Sequence, residues 1–125
     1  MKRDAVFYLA DIIENMDDAV KFLAADTCDE FKKDKKTVNA VVRSIEIIGE
    51  AAKHVPAEIQ EKNHSIPWKN MAGMRDKCIH DYFGVDHETV WYVVKDDIPK
   101  IRLMITSLLD AERSRKSNYG RKTAG

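Results

Sequence analysis

At 125 residues and 14.3 kDa the chain is sized for one domain around one buried core. Its 44% hydrophobic and 34% charged residues, with only 5 Gly and 3 Pro, exclude collagenous, disordered and turn-rich β-sandwich chains and favour helices with solvated faces. The net charge is zero, 21 Lys and Arg against 21 Asp and Glu, so bulk charge gives no argument for nucleic-acid binding.

From Asp4 onward, Leu9, Ile13, Met16, Val20 and Leu23 alternate in steps of four and three opposite Asp11, Asp18 and Lys21, which predicts an amphipathic helix. Thr27-Cys28-Asp29-Glu30 has capping-box form and opens a short turn around Phe31; Lys32 to Lys36 make a charged connector. Between Thr37 and Val55, Val38, Val41, Ile45, Ile48, Ala52 and Val55 repeat the three-four spacing, and Pro56 stops it by lacking an N–H donor. Arg43, Glu46 and Glu50 lie on one side of that helix, flanked by Ile47 and Ala51. They form either a solvated face with local ion pairs or the wall of a cleft or subunit interface.

A short piece over residues 57–63 leads to Ser65-Ile66-Pro67-Trp68, where Pro67 suits the first turn of a new helix. The third long element is expected from Trp68 through Met71, Met74, Cys78, Ile79 and Tyr82, with Gly84 as its left-handed terminator. Asp86 then caps a fourth helix whose stripe is Val90, Val94, Ile98, Ile101, Ile105 and Leu108, kinked or reset at Pro99. With no alternating strand pattern, the expected fold is an all-α, up-and-down bundle of four long helices or fewer plus short ones.

Residues 1–112 form the expected helical domain and hold 16 basic against 21 acidic residues. Residues 113–125 form a basic tail, expected to fray, with Arg113, Arg115, Lys116, Arg121 and Lys122 and no acid. It reads as a solvated end or a non-specific phosphate-contacting arm. The longest apolar run, Ala5 to Ala10, is too short for a membrane span or signal peptide, and Cys28 and Cys78 lie far apart without metal-site spacing. A cytoplasmic protein without a metal or other cofactor is expected.

Chemistry concentrates in Gly73-Met74-Arg75-Asp76-Lys77-Cys78-Ile79-His80-Asp81-Tyr82-Phe83-Gly84. On one straight helix Arg75 and His80 would point about 140° apart and lie about 7.5 Å apart along the axis. Their convergence requires either unwinding near His80 or a two-fold axis that brings in a second copy. Asp76, four residues before His80, would orient the ring on a continuous helix. His80 can move a proton near neutrality, and Arg75 offers a permanent charge and a fork for phosphate. Metal-independent cleavage of an RNA phosphodiester needs those two roles, although an Arg and a His near a solvated helix end are also common without catalysis.

Three blocks in order carry a resemblance. Arg43-Ser44-Ile45-Glu46-Ile47-Ile48-Gly49-Glu50-Ala51 is similar to an R-x-x-E-x-I-G-E-A signature, Ile66-Pro67-Trp68 precedes Met74-Arg75-Asp76, and His80-Asp81-Tyr82-Phe83-Gly84-Val85-Asp86 completes an R-x4-H-x-Y block. Together they resemble the HEPN domains, in particular the HepT-like toxins paired with minimal nucleotidyltransferase antitoxins of the MntA type. The resemblance implies a helical homodimer with its R-x4-H motifs facing across a cleft. It also implies a metal-independent endoribonuclease toxin, tRNA as substrate, Arg75 and His80 as the catalytic pair and Asp76 as their polar neighbour. It further implies inhibition by AMP transferred to Tyr82, and a place for Arg43, Glu46 and Glu50 in the cleft or interface. The competing expectation is a non-catalytic helical subunit that binds a nucleotide or docks a nucleotidyltransferase.

Overall fold

Asp4 accepts the Phe7 N–H at 3.1 Å and opens α1 (Ala5–Phe22), the first element of a computed structural model that describes residues 3–24, 27–80, 82 and 84–124. The stripe that α1 buries is Leu9, Ile12, Met16 and Ala19, closing on Leu23. It is turned from the expected one, since Ile13 is half-buried and Val20 is 48% exposed. The neighbours explain the turn. Tyr8, on the Ile12 and Ala19 side, packs its ring 5.3 Å from that of His54, whereas Asp17, on the Ile13 and Val20 side, pairs at the surface with Arg102 of a later helix.

Thr27 accepts the Glu30 N–H and starts α2 (Cys28–Lys33), which buries Phe31 against the Trp91 ring at 6.1 Å. Asp34, accepting the Thr37 N–H, caps α3 (Lys35–His54). All six residues of the stripe predicted between Thr37 and Val55 are buried. Burying a side chain such as Ile45 or Ile48 contributes about 1.5–3 kcal/mol. The Tyr8–His54 contact joins the start of α1 to the end of α3, so the two run antiparallel.

α4 (Ala57–Lys62), α5 (Trp68–Ala72) and α6 (Met74–Cys78) follow as single turns or little more, then two-residue strands β1 (Ile79–His80) and β2 (Gly84–Val85) pair antiparallel with Ile79 opposite Val85 and His80 opposite Gly84. The expected third long helix is therefore two five-residue helices and a hairpin. Gly73, near φ −93° and ψ 5°, breaks the first from the second, and the chain leaves the helical region at Ile79, at φ −123° and ψ 122°. Gly84 is the left-handed residue, at φ 82°, but it serves the hairpin and not a helix end.

Asp86 caps α7 (His87–Tyr92), as expected. The path then widens into a π-helical turn (Val93–Asp97) and continues as α8 (Ile98–Ala124). Pro99 explains the widening, because its ring would collide with the Lys95 carbonyl in an ordinary α-turn. Contacts of Asp17 with Arg102 and of Asp4 with Lys116 set α8 antiparallel to α1. The result is an all-α, HEPN-like bundle of three long helices with a minimal hairpin at one edge. Residues 113–124 continue α8 as helix, with Arg113 to Asn118 exposed. Asp81 and Phe83 of the motif lie outside the described residues, as do Gly125 and the side chains of Arg121 and Lys122. Among the described residues no helix is long and apolar enough to cross a membrane.

Candidate active site

Gly49 fixes where the motif lies. A Cβ placed there would come within 3.2 Å of the Met71 carbonyl oxygen and 3.3 Å of that of Ala72, so the backbone of α5 rests directly on α3 at this position. That close approach sets the start of α6 beside the polar side of α3. A cavity of about 190 Å³ opens between them, lined by Arg43, Glu46, Gly49, Glu50, Arg75 and Asp76 among others. The line of charge on α3 borders this cavity and also makes local ion pairs, Arg43 with Glu46 and Glu50 with Lys53.

Within that cleft Arg75 is held loosely. Its Nε lies 3.9 Å from Glu46 and its Nη1 3.4 Å from Asp76, while Arg43 reaches the other Glu46 oxygen at 3.4 Å. Such half-exposed, long contacts are weak, and an incoming anion can replace them. Asp76 therefore faces Arg75 and does not orient His80, because α6 ends at Cys78 and the i, i+4 relation expected of one helix is lost.

His80 stands on β1, exposed, with Nε2 3.9 Å from Asp86 Oδ2, too far for a hydrogen bond. Asp86 is tied down on three sides. Its N–H donates to the Cys78 carbonyl at 2.8 Å, its Oδ1 accepts the Thr89 N–H at 3.1 Å, and its Oδ2 faces the imidazole. Hydrogen bonds from Thr89, joined by positive charge at His80 and His87, hold its carboxyl below the usual carboxylate range. Asp86 is the member of this constellation that sequence reasoning assigned only to capping. Its signal was the turn at Gly84, which folds position 86 back beside position 78, within reach of the His80 ring.

Arg75, Asp76, Arg43, Glu46 and Glu50 are thus gathered in one cleft, and His80, with Tyr82, sits on the hairpin that follows it. Three helical steps and two extended ones allow the Arg75 and His80 Cα atoms at most about 12 Å of separation. Tyr82 is 92% exposed on the hairpin connection. Beneath them Cys78 is buried, which pushes its thiol up to about 11 and leaves it an inert floor. A permanent cation over a polar cleft, with a carboxylate-backed imidazole near it, can bind a phosphodiester and move a proton.

The family model described as "Ribonuclease HepT-like" matches residues 12–108. A protein of Methanocaldococcus jannaschii named "Putative RNase" is 49% identical over 98 residues, covering 78% of this chain and 81% of that one. A "Probable ribonuclease HepT" of Thermococcus cleftensis is 46% identical over 102 residues, 82% of this chain and 93% of its own. No solved structure matches the chain significantly.

Proposed function

The chain belongs to the Ribonuclease HepT-like family, and from that premise we propose that it is a metal-independent endoribonuclease toxin acting on tRNA in the cytoplasm. The observation that carries the reading is the loosely paired Arg75 at the cleft, followed on the hairpin by an exposed His80 backed by Asp86. Arg75 binds the scissile phosphate, exchanging Asp76 and Glu46 for its oxygens, and stabilises the charge that builds there. The ribose 2′-oxygen attacks phosphorus and the bond to the 5′-oxygen breaks; His80 takes the 2′-hydroxyl proton while water protonates the departing 5′-oxygen, or water takes the first proton while His80 supplies the second. Either way the 3′-side product leaves with a 5′-hydroxyl and the other end closes as a 2′,3′-cyclic phosphate.

Two copies pair so that their Arg75 and His80 sets face one cleft, with Arg43, Glu46 and Glu50 at its wall. The domain comprises residues 1–112, and the basic segment 113–125 adds phosphate contacts. A minimal nucleotidyltransferase antitoxin transfers AMP to the Tyr82 hydroxyl. The exposure of that phenol supports access, and an added phosphodiester beside Arg75 and His80 would repel RNA.

The test is cleavage of total tRNA in EDTA by wild type, Arg75→Ala and His80→Ala, with intact mass recorded first to exclude AMP already attached. Cleavage by wild type alone, abolished by a 2′-deoxy substitution at the cut site, is expected. Equal cleavage by His80→Ala, or none by unmodified wild type, overturns the reading. Tyr82→Phe should block AMP-sized mass additions by the cognate partner and ATP; undiminished modification would place the acceptor elsewhere.

A further inference from the structure

On the other flank of α6 lies a larger feature. A groove of about 700 Å³ runs between α5, α6 and the joint of the π-helical turn with α8. Its floor includes the buried Met74 and Ile101, and its rim carries Lys69 from α5, Lys77 from α6 and Lys100 from α8, with Asp97 as the acid among its lining residues. Asp97 meets Lys77 only at 3.8 Å, with both side chains about half exposed, so it does not neutralise the rim. Three cations converging from three separate elements are not the regular decoration of one helix face. They are also out of keeping with their surroundings, since residues 1–112 carry five more acids than bases.

We infer that this groove is a backbone-binding track for RNA, in which Lys69, Lys77 and Lys100 hold successive phosphates of the strand that reaches Arg75. The inference rests on the ribonuclease reading and names how its substrate is held. Two features give the occupant. The groove is long, because a shallower depression of about 410 Å³ shares Pro67, Lys69 and Asn70 with it and extends it along α5. The extension adds Trp68, His64 and Glu61, but the larger part, where the three lysines stand, is lined by no aromatic ring, so contacts there are to sugar and phosphate and carry no sequence information. The route to the cleft is short. Arg75 and Lys77 are two residues apart, about 200° around a helix no wider than about 12 Å, so they flank α6 on opposite sides. A strand crossing between them passes Asp76, whose carboxylate is already drawn to Arg75 at 3.4 Å.

The experiment measures binding of fluorescent tRNA, and of an unrelated RNA of equal length, to His80→Ala protein over a range of salt, with and without Lys69→Gln, Lys77→Gln and Lys100→Gln together. A control removes the same charge elsewhere through Lys33→Gln, Lys35→Gln and Lys62→Gln. Losing three phosphate contacts should lower the slope of log affinity against log salt by about 2 and raise Kd at least about tenfold near 0.1 M salt, equally for both RNAs. In the otherwise native chain the groove variant should raise KM while leaving kcat nearly unchanged. The track is overturned if the groove variant keeps the native slope, if the control loses as much, or if the groove variant changes the sedimenting species, which would make this face a contact between copies. Wild type that neither binds nor cuts RNA overturns the ribonuclease reading itself, and the track with it. Wild type that cuts RNA while the groove variant binds as before removes the track alone.

Discussion

Arg102 and Arg75 show how differently two regions of this chain treat the same side chain. Arg102, on α8, grips both Asp17 oxygens through Nε and Nη2, at 2.7 and 3.2 Å, and joins two of the long helices. Arg75, on the one-turn α6, touches Glu46 and Asp76 at 3.9 and 3.4 Å and is committed to neither. The long helices use apolar periodicity and paired charge to define one arrangement. The edge formed by α5, α6 and the hairpin interrupts that periodicity with glycine and leaves its polar groups turned to solvent. A bidentate surface pair is a brace, while a loosely held cation is ready to change partner.

The comparison is most sharply tested where the two regions should respond in opposite currencies. His80→Ala or Arg75→Ala should lower RNA cleavage by about 10²- to 10⁴-fold, while thermal unfolding shifts stability by no more than about 0.5 kcal/mol. An unfolded variant would show instead that the edge also holds the fold. Ile45→Ala should do the reverse, losing about 2–5 kcal/mol in denaturant titration because Ile45 is fully buried in α3. Arg102→Ala should cost at most about 1 kcal/mol and spare kcat, since its partner is half exposed. A kcat loss matching that of Arg75→Ala would erase the distinction between the two arginines.

Asp86 belongs to both regions, and its two oxygens can be separated. Asp86→Asn keeps a capping oxygen for Thr89 but removes the charge facing His80, so cleavage should fall several-fold with little loss of stability. Asp86→Ala should lose the cap as well and unfold at lower denaturant than Asp86→Asn. Identical behaviour of the two variants would reduce Asp86 to a cap. The caps also set the acid limit. The carboxyls of Asp34 and Asp86 are held below their ordinary value of 3.8, chiefly by hydrogen bonds from Thr37 and Thr89 respectively. A lowered folded-state pKa contributes stability that is present above the unfolded value and lost as pH falls through the folded one. Stability should therefore begin to decline below about pH 4, and Asp34→Asn should make that decline shallower in acid titrations followed by circular dichroism. The smallest effect is chemical: at pH 8 a maleimide should label Cys28 in the native protein and reach Cys78 only after unfolding, and fast native labelling of Cys78 would mean that the floor beneath the hairpin opens.

The body was legible because burial has a period. All of Val38, Val41, Ile45, Ile48, Ala52 and Val55 are buried as their spacing implies, and the Thr27 and Asp86 caps stand where expected, whereas Asp34, read as part of a charged connector, caps a helix that already starts at Lys35. On α1, two stripes share Leu9, Met16 and Leu23, and only the positions of α3 and α8 decide between Ile12 and Ile13. The edge was less legible. Met71, Met74 and Cys78 have helical spacing and are indeed buried, yet the chain breaks at Gly73 and extends at Ile79. Periodicity reports which side faces the core and not whether the backbone stays helical between those points. The chemistry of Arg75 and His80 could be named from residue types, whereas their partners depended on that break: a continuous helix favours Asp76 for His80, and the hairpin supplies Asp86.

The π-helical turn before Pro99 sets a matter of phase. Val90, Val94 and Ile98 are separated by two steps of four, which on an ordinary helix would drift about 80° around the axis. Widening the turn at Val93–Asp97 takes up that drift, and all three are buried on one face with Ile101 and Ile105. The joint therefore acts as an angular spacer of one residue between the hairpin end of the molecule and α8. Deleting a single residue from it would swing everything before it by about 100° relative to everything after it. Lys100 would then part from Lys69 and Lys77, and Asp86 and His80 would be re-aimed, without one of those side chains having been altered. In this chain the length of that segment carries as much information as its composition.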